Sequence, residues 1–411
     1  MDRIILHSDL NNFYASVECR DNEEIRNYPV AVSGNPENRH GIVLAKNMLA
    51  KKKGVKTGDT IWEAMQKCPG IIFVPPRFDR YIEISKTVRS IYYDYTDLIE
   101  PFGIDECWLD VTDSVPLFKS GESIAEEIRQ RVKEEIGVTV SIGVSFNKIF
   151  AKLGSDMKKP DAITIINREK YKKKIWNLPV KELLYAGKKK KKKLEKLNIF
   201  TIGDLAQSDE AIISRHLGKN GIMLQQYAKG NDESPVRNIE YSREVKSIGN
   251  GTTMPFDVTG IEDVKIVLML LSESVSKRLR EKNFYATTIQ LGIKFNTLES
   301  IDRQAPLNNA TRSVEDIFRQ ALCIFIRERV SMPVRALSVR ACNLVREPLW
   351  QESLFGGDRD ENERLDIMSE KLRNKYGWGI IQRGIMLENR RLSGLNPTDD
   401  NTLQKIAFFK G

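Results

Sequence analysis

The sequence predicts an α+β fold divided into several domains. A chain of 411 residues is too long for one hydrophobic core, and its length alone suggests about three or more domains. Between residues 71 and 166, apolar β-prone runs such as 138–144 alternate with stretches of helical apolar spacing such as 124–132. A second mixture of this kind follows, with helices predicted over 264–280 and 314–329 and strands over 287–295 and 334–344.

Three acidic side chains stand at the ends of predicted strands. Asp105 and Glu106 interrupt an apolar, β-prone run, and Asp9 ends a short apolar strand near the N-terminus. Burying like charges side by side is costly unless cations neutralise them, so these carboxylates could hold two hard divalent ions. Neighbouring strand residues point to opposite faces, so Asp105 and Glu106 can share a site only if the backbone turns, which Gly103 permits. A solvated acidic turn is the alternative.

The chain carries an excess of positive charge. Lys and Arg number 65 against 56 Asp and Glu, which gives a formal net charge of +9, and lysines cluster at 172–174 and 188–193. Such clusters predict a polyanionic partner. Five scattered cysteines without C-x-x-C spacing predict a reducing compartment and no zinc site. No apolar run approaches the ~18 residues of a membrane span, so we expect a cytoplasmic protein with no membrane partner.

Residues 8–18 and 104–112 resemble two acidic motifs of the Y family of translesion DNA polymerases. The first reads Ser-Asp-Leu-Asn-Asn-Phe-Tyr-Ala-Ser-Val-Glu, and the second reads Ile-Asp-Glu-Cys-Trp-Leu-Asp-Val-Thr. The resemblance implies two Mg²⁺ ions per active site. It also implies that the catalytic metal ligands are Asp9, Asp105 and Glu106, assisted by the carbonyl group of Leu10.

The helix expected after Asp9 brings aromatic side chains to the acidic site. Asn11 or Asn12 can cap this helix, which carries Phe13 and Tyr14 in its first turn. The resemblance implies that Tyr14 is the steric gate that excludes a ribose 2′-hydroxyl group and that Phe13 contacts the nucleotide. Aromatic residues at a helix start are more often core residues, and it is the adjacent carboxylate that favours a binding role here.

Three lysines are expected to contact the incoming triphosphate: Lys46, Lys51 and Lys159. Gapless alignment with the family places Ala45, Met48 and Lys51 where it usually has a hydroxyl residue, a tyrosine and an arginine. Lysine lacks the bidentate fork of arginine, so Lys51 would hold phosphate more loosely, with Lys46 in support. A solvated lysine face is the alternative for Lys46 and Lys51.

Residues 178–205 resemble a helix-hairpin-helix, which holds DNA phosphates through backbone amides and cations. Gly187 stands alone where this hairpin normally has two close glycines. A merely solvated lysine helix is the alternative to phosphate binding here. The residues expected to bind DNA are Gly187, Lys188, Lys189 and Lys190 in the hairpin, and Arg335 and Arg340 on the last predicted strand.

The resemblance implies a right-hand polymerase with a ferredoxin-like palm, small fingers, a helical thumb and an α/β little finger domain. The likeness covers nearly the whole chain, to about residue 385. The expected boundaries are 1–10 and 75–166 for the palm, 11–74 for the fingers, 167–230 for the thumb, 231–244 for a linker, 245–346 for the little finger and 347–411 for a C-terminal tail.

The predicted tail begins with a short motif and continues with a helix. Residues 351–355, Gln-Glu-Ser-Leu-Phe, resemble the pentapeptide by which bacterial polymerases dock on the sliding clamp. In that peptide Gln351 would be the polar anchor, while Leu354 and Phe355 would fill an apolar pocket. Helical spacing then predicts a short helix that packs locally through Leu365, Met368, Leu372 and Tyr376.

These features predict an error-prone, template-directed DNA polymerase for translesion synthesis, which adds deoxynucleotides to a primer 3′-hydroxyl by two-metal catalysis. Its expected partners are primer–template DNA, deoxynucleoside triphosphates and the sliding clamp, and we expect a monomer. Two alternatives stay open. A catalytically silent DNA-binding module would not need the three carboxylates together. A nucleotidyl cyclase would share the acidic palm but would need neither the hairpin nor the clamp peptide.

Overall fold

The computed structural model describes residues 3–35, 41–238, 244–347 and 359–395. The chain forms two compact units, of which the first contains residues 3–34 and 42–238 and the second contains residues 244–347 and 359–395. The predicted clamp peptide, with Gln351, Leu354 and Phe355, lies outside the described residues. No helix within the described ranges is long and apolar enough to cross a membrane.

The first unit mixes strands and helices up to residue 166 and is helical after it. In chain order, the elements of the mixed part are β1 (Ile5–Leu10), α1 (Phe13–Asp21), β2 (Val30–Ser33), β3 (Val43–Lys46), α2 (Met48–Lys52), α3 (Ile61–Lys67), β4 (Ile72–Val74), α4 (Phe78–Tyr93), β5 (Ile99–Pro101), β6 (Glu106–Asp110), α5 (Val115–Phe118), α6 (Gly121–Arg131), β7 (Val140–Ser145), α7 (Lys148–Met157) and β8 (Ile163–Ile166). The helical part contains α8 (Tyr171–Ile175), α9 (Lys188–Glu195), α10 (Ile202–Gln207), α11 (Glu210–Leu217) and α12 (Lys219–Ala228).

Five strands of the first unit form the palm sheet, in the order β5-β6-β1-β7-β8. Neighbouring strands are antiparallel except β7 and β8. Every residue of the central strand β1 is buried. Leu6 packs with residues of α4 and α6 on one face, whereas Ile5 packs with Ala151 of α7 on the other. Because side chains alternate along a strand, His7 and Asp9 lie on the α7 face with Ile5.

Helix α7 lies close against the palm sheet because β7 has a glycine at the contact. A Cβ atom on Gly143 would lie 1.9 Å from the carbonyl oxygen of Ala151, so no larger residue fits there. Asn147 caps α7, since its side chain accepts a hydrogen bond of 2.8 Å from the backbone N–H of Phe150. The close approach lets side chains of α7 reach the ends of β1 and β6.

The predicted capping of α1 by Asn11 or Asn12 is wrong. Asn12 occupies the N-cap position in a left-handed conformation, with φ of 49°, and its side chain makes no capping hydrogen bond. The Asn11 amide group instead donates to Ser141 Oγ at 2.9 Å, and its oxygen accepts from the backbone N–H of Asp161 at 2.8 Å. Asn11 therefore ties the start of α1 to the palm sheet rather than to its own helix.

A small second sheet with the order β3-β2-β4 forms the middle of the predicted fingers segment. Asn47 caps α2 with its side chain, and Thr60 and Glu63 form a capping box at the start of α3. Helix α1 also falls within the predicted fingers segment. Its Phe13 and Val17 nevertheless pack in the core of the palm sheet.

The helical part of the first unit packs Leu194, Ile202 and Leu224 into a core that it shares with α7 of the mixed part. Its hairpin precedes α9. Gly187, at the N-cap of α9, has φ of −55°, whereas Tyr185 has φ of 70°. The left-handed position of the turn is therefore held by Tyr185, at a cost of about 1–2 kcal/mol for a residue with a side chain.

Residues 231–238, predicted as part of a linker, pack against the palm sheet. Val236 is 4% exposed and contacts the cluster of Ile5 and Trp108. The backbone N–H of Arg237 donates to Glu100 Oε2 at 3.0 Å. The burial of Val236 and the hydrogen bond to Glu100 therefore hold this part of the chain against the palm.

The second unit is a four-stranded antiparallel sheet covered by helices, with the order β11-β10-β12-β9. Its core includes Leu268, Ile317 and Leu291. The predicted helices and the strands β10 and β12 are confirmed to within a few residues. In chain order, its elements are β9 (Ser247–Val258), α13 (Ile261–Glu281), β10 (Tyr285–Phe295), β11 (Ser300–Thr311), α14 (Val314–Arg327), β12 (Val334–Val345), α15 (Arg359–Tyr376) and α16 (Arg390–Ser393).

Helix α15 lies where a helix was predicted, but the face that contacts the rest of the second unit is not the predicted apolar one. Asp366 Oδ1 accepts from Arg383 Nη2 at 2.7 Å, and Glu370 Oε2 accepts from Arg280 Nη2 at 2.9 Å. Ion pairs therefore hold the helix. The side chains predicted to pack locally are 40–62% exposed: Leu365, Met368, Leu372 and Tyr376.

Candidate active site

Strands β5 and β6 form a hairpin that carries two of the three predicted acidic residues. Asp105 lies in the turn, and Glu106 is the first residue of β6. Glu106 is the direct cross-strand partner of Asp9, and the backbone N–H of Leu10 donates to the carbonyl oxygen of Asp105 at 2.9 Å. The expected break in strand geometry between Asp105 and Glu106 is confirmed. The structure thus brings the three carboxylates to one end of the palm sheet.

Helix α4 fixes the turn of this hairpin through its backbone. Arg89 Nη2 donates to the carbonyl oxygen of Gly103 at 3.0 Å, and Ser85 Oγ donates to the carbonyl oxygen of Ile104. Both α4 side chains are buried. The position of Asp105 is therefore set by the packed core and not by a mobile loop.

The carboxyl groups of the hairpin have different electrostatic surroundings. Burial, followed by the charges of Glu106 and Asp9, raises the pKa of Asp105 to about 6. Burial also favours a higher pKa for Glu106, but contact with His7 and the charge of Lys152 lower it to about 2. Glu106 is therefore ionised at neutral pH, whereas burial and the charges of Glu106 and Asp9 oppose the ionisation of Asp105.

His7 lies beneath the acidic residues and was missed in the sequence. Its side chain is fully buried, with Nδ1 2.8 Å from Ser155 Oγ and Nε2 3.4 Å from Glu106 Oε2. Burial lowers the pKa of His7, although Glu106 opposes that effect. The available signal was its position two residues before Asp9, which places both on the same face of β1.

Two lysines partly neutralise Asp9 and Glu106. Lys152 Nζ is 3.1 Å from Asp9 Oδ2 and 3.1 Å from Glu106 Oε2. Lys159 Nζ is 2.8 Å from Asp9 Oδ2. Lys148, on the same helix, points elsewhere and pairs with Glu100 at 2.6 Å.

The donor set fits hard divalent cations. Asp9, Asp105 and Glu106 supply carboxylate oxygens and Leu10 supplies a carbonyl oxygen, which are the ligand types that Mg²⁺ prefers. Glu106 Oε2 is buried beside Lys152 Nζ and His7 Nε2. Within the described ranges, no three His, Cys, Asp or Glu side chains lie in an arrangement that could hold a metal ion, so the three carboxylates are not a preformed ligand set. A cation would have to draw these carboxylates together and displace Lys152 and Lys159 from Asp9 and Glu106.

Tyr14 lies beside the acidic hairpin in an aromatic stack. Its ring is 4.4 Å from that of Tyr81, with an interplanar angle of 10°, and Tyr81 Oη donates to Glu18 Oε1 at 2.6 Å. Burial, followed by the charge of Asp105, raises the pKa of Tyr14 to about 12. Phe13 is only 3% exposed, so its side chain belongs to the core.

Two of the three predicted triphosphate-binding lysines, Lys51 and Lys159, line one cleft. A cavity of about 150 Å³ is lined by Lys51, Lys159 and Met48, together with Asn11, Asn12 and Pro160. Lys46 Nζ donates to Thr57 Oγ1 at 2.9 Å. Burial and the nearby charge of Lys51 lower the pKa of Lys46. The cleft thus lies between Lys51 of α2 and Lys159, which follows α7.

Four of the six predicted DNA-binding residues are exposed, and the other two are half-buried. Gly187, Lys188 and Lys189 are exposed at the start of α9, and Lys190 is half-buried. In the second unit, Arg340 is exposed on β12 with Nη1 3.3 Å from Ser247 Oγ. Arg335 is half-buried next to an irregularity in the pairing of β12 with β9.

Two family models match the chain. The model described as "impB/mucB/samB family" matches residues 8–156, and its C-terminal domain model matches residues 245–354. The first match includes all three acidic residues of the hairpin and of β1. The chain therefore belongs to this family, the Y family of DNA polymerases.

Several similar proteins are called DNA polymerase IV. The one from Acetivibrio thermocellus is 51% identical over 397 residues, which cover 96% of this chain and 100% of the relative. The one from Clostridium acetobutylicum is 38% identical and covers 94% and 99% of the two chains. DNA polymerase IV 1 of Bacillus subtilis is 39% identical and covers 94% of each chain.

A solved Y-family DNA polymerase chimera of Dbh and Dpo4 has a similar fold, with a TM-score of 0.73 and 25% sequence identity. The similarity covers 84% of this chain and all of the other chain. The predicted fold class, with palm, fingers, thumb and little finger, is confirmed. These similarities favour the polymerase hypothesis over the silent module and the nucleotidyl cyclase.

Proposed function

We propose that the chain is an error-prone, template-directed DNA polymerase for translesion synthesis in the cytoplasm. It transfers deoxynucleotides from their triphosphates to a primer 3′-hydroxyl and releases pyrophosphate. The observation that carries the proposal is the pairing of Asp9 with Glu106 at the end of the palm sheet, with Asp105 in the adjoining turn. Membership of the Y family supports the same reaction.

Asp9, Asp105 and Glu106 would hold two Mg²⁺ ions with the carbonyl group of Leu10. Such ions, when bound, lower the pKa of the attacking hydroxyl and neutralise the charge of the leaving pyrophosphate. The protein contributes ligands whose positions are set by paired strands and by α4. Glu106, with its low pKa, remains ionised throughout the neutral range.

The cleft beside these ligands would hold the triphosphate and select the sugar. Lys51 and Lys159 line the cleft and supply positive charge for the phosphate groups. Tyr14, held in place by its stack with Tyr81, closes against a ribose 2′-hydroxyl. The fingers sheet has only three short strands, so it gives the nascent base pair few contacts. Weak shape selection of that kind implies low fidelity and tolerance of damaged templates.

DNA would be held mainly through its phosphates. Lys188, Lys189 and Lys190 occupy the first turn of α9, where positive side chains oppose the helix dipole and an anion would relieve the repulsion. Arg335 and Arg340 would add contacts from the little finger, within the domain boundaries given above. The clamp would be bound through Gln351, Leu354 and Phe355, and the enzyme would act as a monomer.

The test is extension of a labelled primer with Mg²⁺ and single deoxynucleotides, using wild-type protein and Asp105→Asn. Template-matched addition by the wild type alone is expected. The matched control is Asp113→Asn, which removes an exposed carboxylate just beyond β6 and should leave extension intact. Robust extension by a clean preparation of Asp105→Asn would overturn the proposal, as would tight DNA binding by the wild type without any extension.

A further inference from the structure

Lys152, Lys159 and Asp156 form an ion cluster against the acidic residues of the palm. Lys152 Nζ lies 3.1 Å from carboxylate oxygens of Asp9, Glu106 and Asp156. Lys159 Nζ lies 2.8 Å from Asp9 Oδ2 and 2.9 Å from Asp156 Oδ1. Each lysine is therefore shared between Asp156 and at least one proposed metal ligand.

Asp156 differs from the other carboxylates of the cluster in its exposure. Its side chain is 38% exposed, compared with 7% for Asp9 and 20% for Glu106. It also lies one helical turn after Lys152 on α7, and residues four apart on a helix are neighbours on its surface. Asp156 can therefore hold both ammonium groups on the solvent side of the acidic residues without any movement of the backbone.

We propose that Asp156 is a positioning residue that receives Lys152 and Lys159 when a divalent ion binds Asp9 and Glu106. This inference rests on the proposed metal role of those two carboxylates. An ammonium group and a divalent ion repel each other strongly at contact distance, so the lysines must leave oxygens that the ion takes. Without Asp156 they would have no nearby carboxylate to move to within the cluster.

The sign of the effect follows from how many partners the lysines have in each state. Before metal binds, Asp156 is one of three carboxylates around Lys152. After metal binds, it becomes the principal carboxylate left for both lysines. Asp156 therefore stabilises the metal-bound state more than the metal-free state, and its loss weakens metal binding.

The experiment measures Mn²⁺ binding to the full-length protein without DNA or nucleotide, from the electron paramagnetic resonance signal of free Mn²⁺. Asp156→Asn is expected to weaken Mn²⁺ binding by about fivefold or more. Its matched control is Glu135→Gln, which removes an exposed carboxylate that pairs with Arg131 four residues before it. The control should change the affinity by less than about twofold. Unchanged Mn²⁺ affinity in Asp156→Asn overturns the inference.

A second comparison separates lysine positioning from direct metal binding by Asp156. In a protein with Lys152→Gln and Lys159→Gln, no lysine remains to be received, so adding Asp156→Asn should leave Mn²⁺ affinity unchanged. An equal loss of affinity in both backgrounds would show that Asp156 is itself a ligand, which overturns the inference. If the double lysine variant does not fold, the Mn²⁺ affinity of Asp156→Asn in the wild-type background is the deciding measurement. Failure of the metal site itself is recognised separately, because Asp9→Asn would then leave Mn²⁺ binding intact.

Discussion

Replacing Asp105 by asparagine is expected to stabilise the metal-free protein at neutral pH. Burial, then the charges of Glu106 and Asp9, raises the pKa of Asp105 to about 6 in the folded protein, from an ordinary value of 3.8. A carboxyl group with a raised folded-state pKa supports folding when protonated and opposes it when ionised. Its contribution to stability is complete below the ordinary pKa and is lost as the pH rises through about 6.

The expected magnitude follows from the size of this shift. A difference of about two pKa units corresponds to about 3 kcal/mol. The side chain of Asp105 is only partly shielded from solvent, so we expect about 1–2 kcal/mol after screening. For a domain of about 200 residues, each kcal/mol moves the melting temperature by about 2–4 °C. Asp105→Asn should therefore melt roughly 2–8 °C above the wild type near neutral pH.

Thermal unfolding in EDTA between about pH 4 and pH 8 provides the assay, with Asp113→Asn as the exposed control. The difference between Asp105→Asn and the wild type should shrink toward pH 4, because Asp105 is then protonated. Added Mn²⁺ should narrow the difference near neutral pH, since ligand binding stabilises only the protein that retains the full site. If Asp105→Asn is no more stable than the wild type in EDTA near neutral pH, the ionised Asp105 side chain does not destabilise the folded protein and the reasoning is refuted.

Three further perturbations test the packing and the DNA surface. Glu100→Gln should cost about 3 kcal/mol in urea unfolding, because it leaves Lys148 buried without its partner 2.6 Å away, and Glu100→Gln with Lys148→Met should recover most of that loss. Gly143→Ala should cost at least about 3 kcal/mol by forcing α7 off the sheet, whereas Gly187→Ala, with open space around it, should cost about 1 kcal/mol or less. Changing Lys188, Lys189 and Lys190 to Gln should reduce the number of counterions released on DNA binding by about two to three, measured as the slope of log K against log salt concentration. An unchanged slope would exclude α9 from the DNA interface.

The positions of the three carboxylates could be predicted from the sequence, but the surrounding ion cluster could not. Asp9 and Asp105–Glu106 each end or interrupt an apolar run, and the family resemblance joins the two segments. Which face of α7 meets the sheet depends on the contact at Gly143, which leaves no mark in the periodicity of the helix. The contacts of Lys152 and Asp156 with the acidic residues therefore emerged only from the packed structure.

The errors in the predicted elements have local physical causes. Strand β11 was missed because it is a mostly exposed edge strand that contains Pro306, so it lacks the alternating pattern of a half-buried strand. The cap of α1 was wrong because Asn11 forms hydrogen bonds with another part of the palm. Leu365 and Met368 were assigned to a buried face, but ion pairs and not apolar contacts hold α15.

The acidic site and its lysines are best understood as one electrostatic unit. Three carboxylates at the end of one sheet would oppose folding if they were left alone, and Asp105 retains that opposition in its raised pKa. Lys152 and Lys159 remove much of it for Asp9 and Glu106. The same lysines compete with any cation for these oxygens, so metal-free stability and metal affinity are set by one group of residues. Substitutions that stabilise the metal-free protein by removing negative charge should therefore weaken metal binding, because both effects act on the same carboxylates.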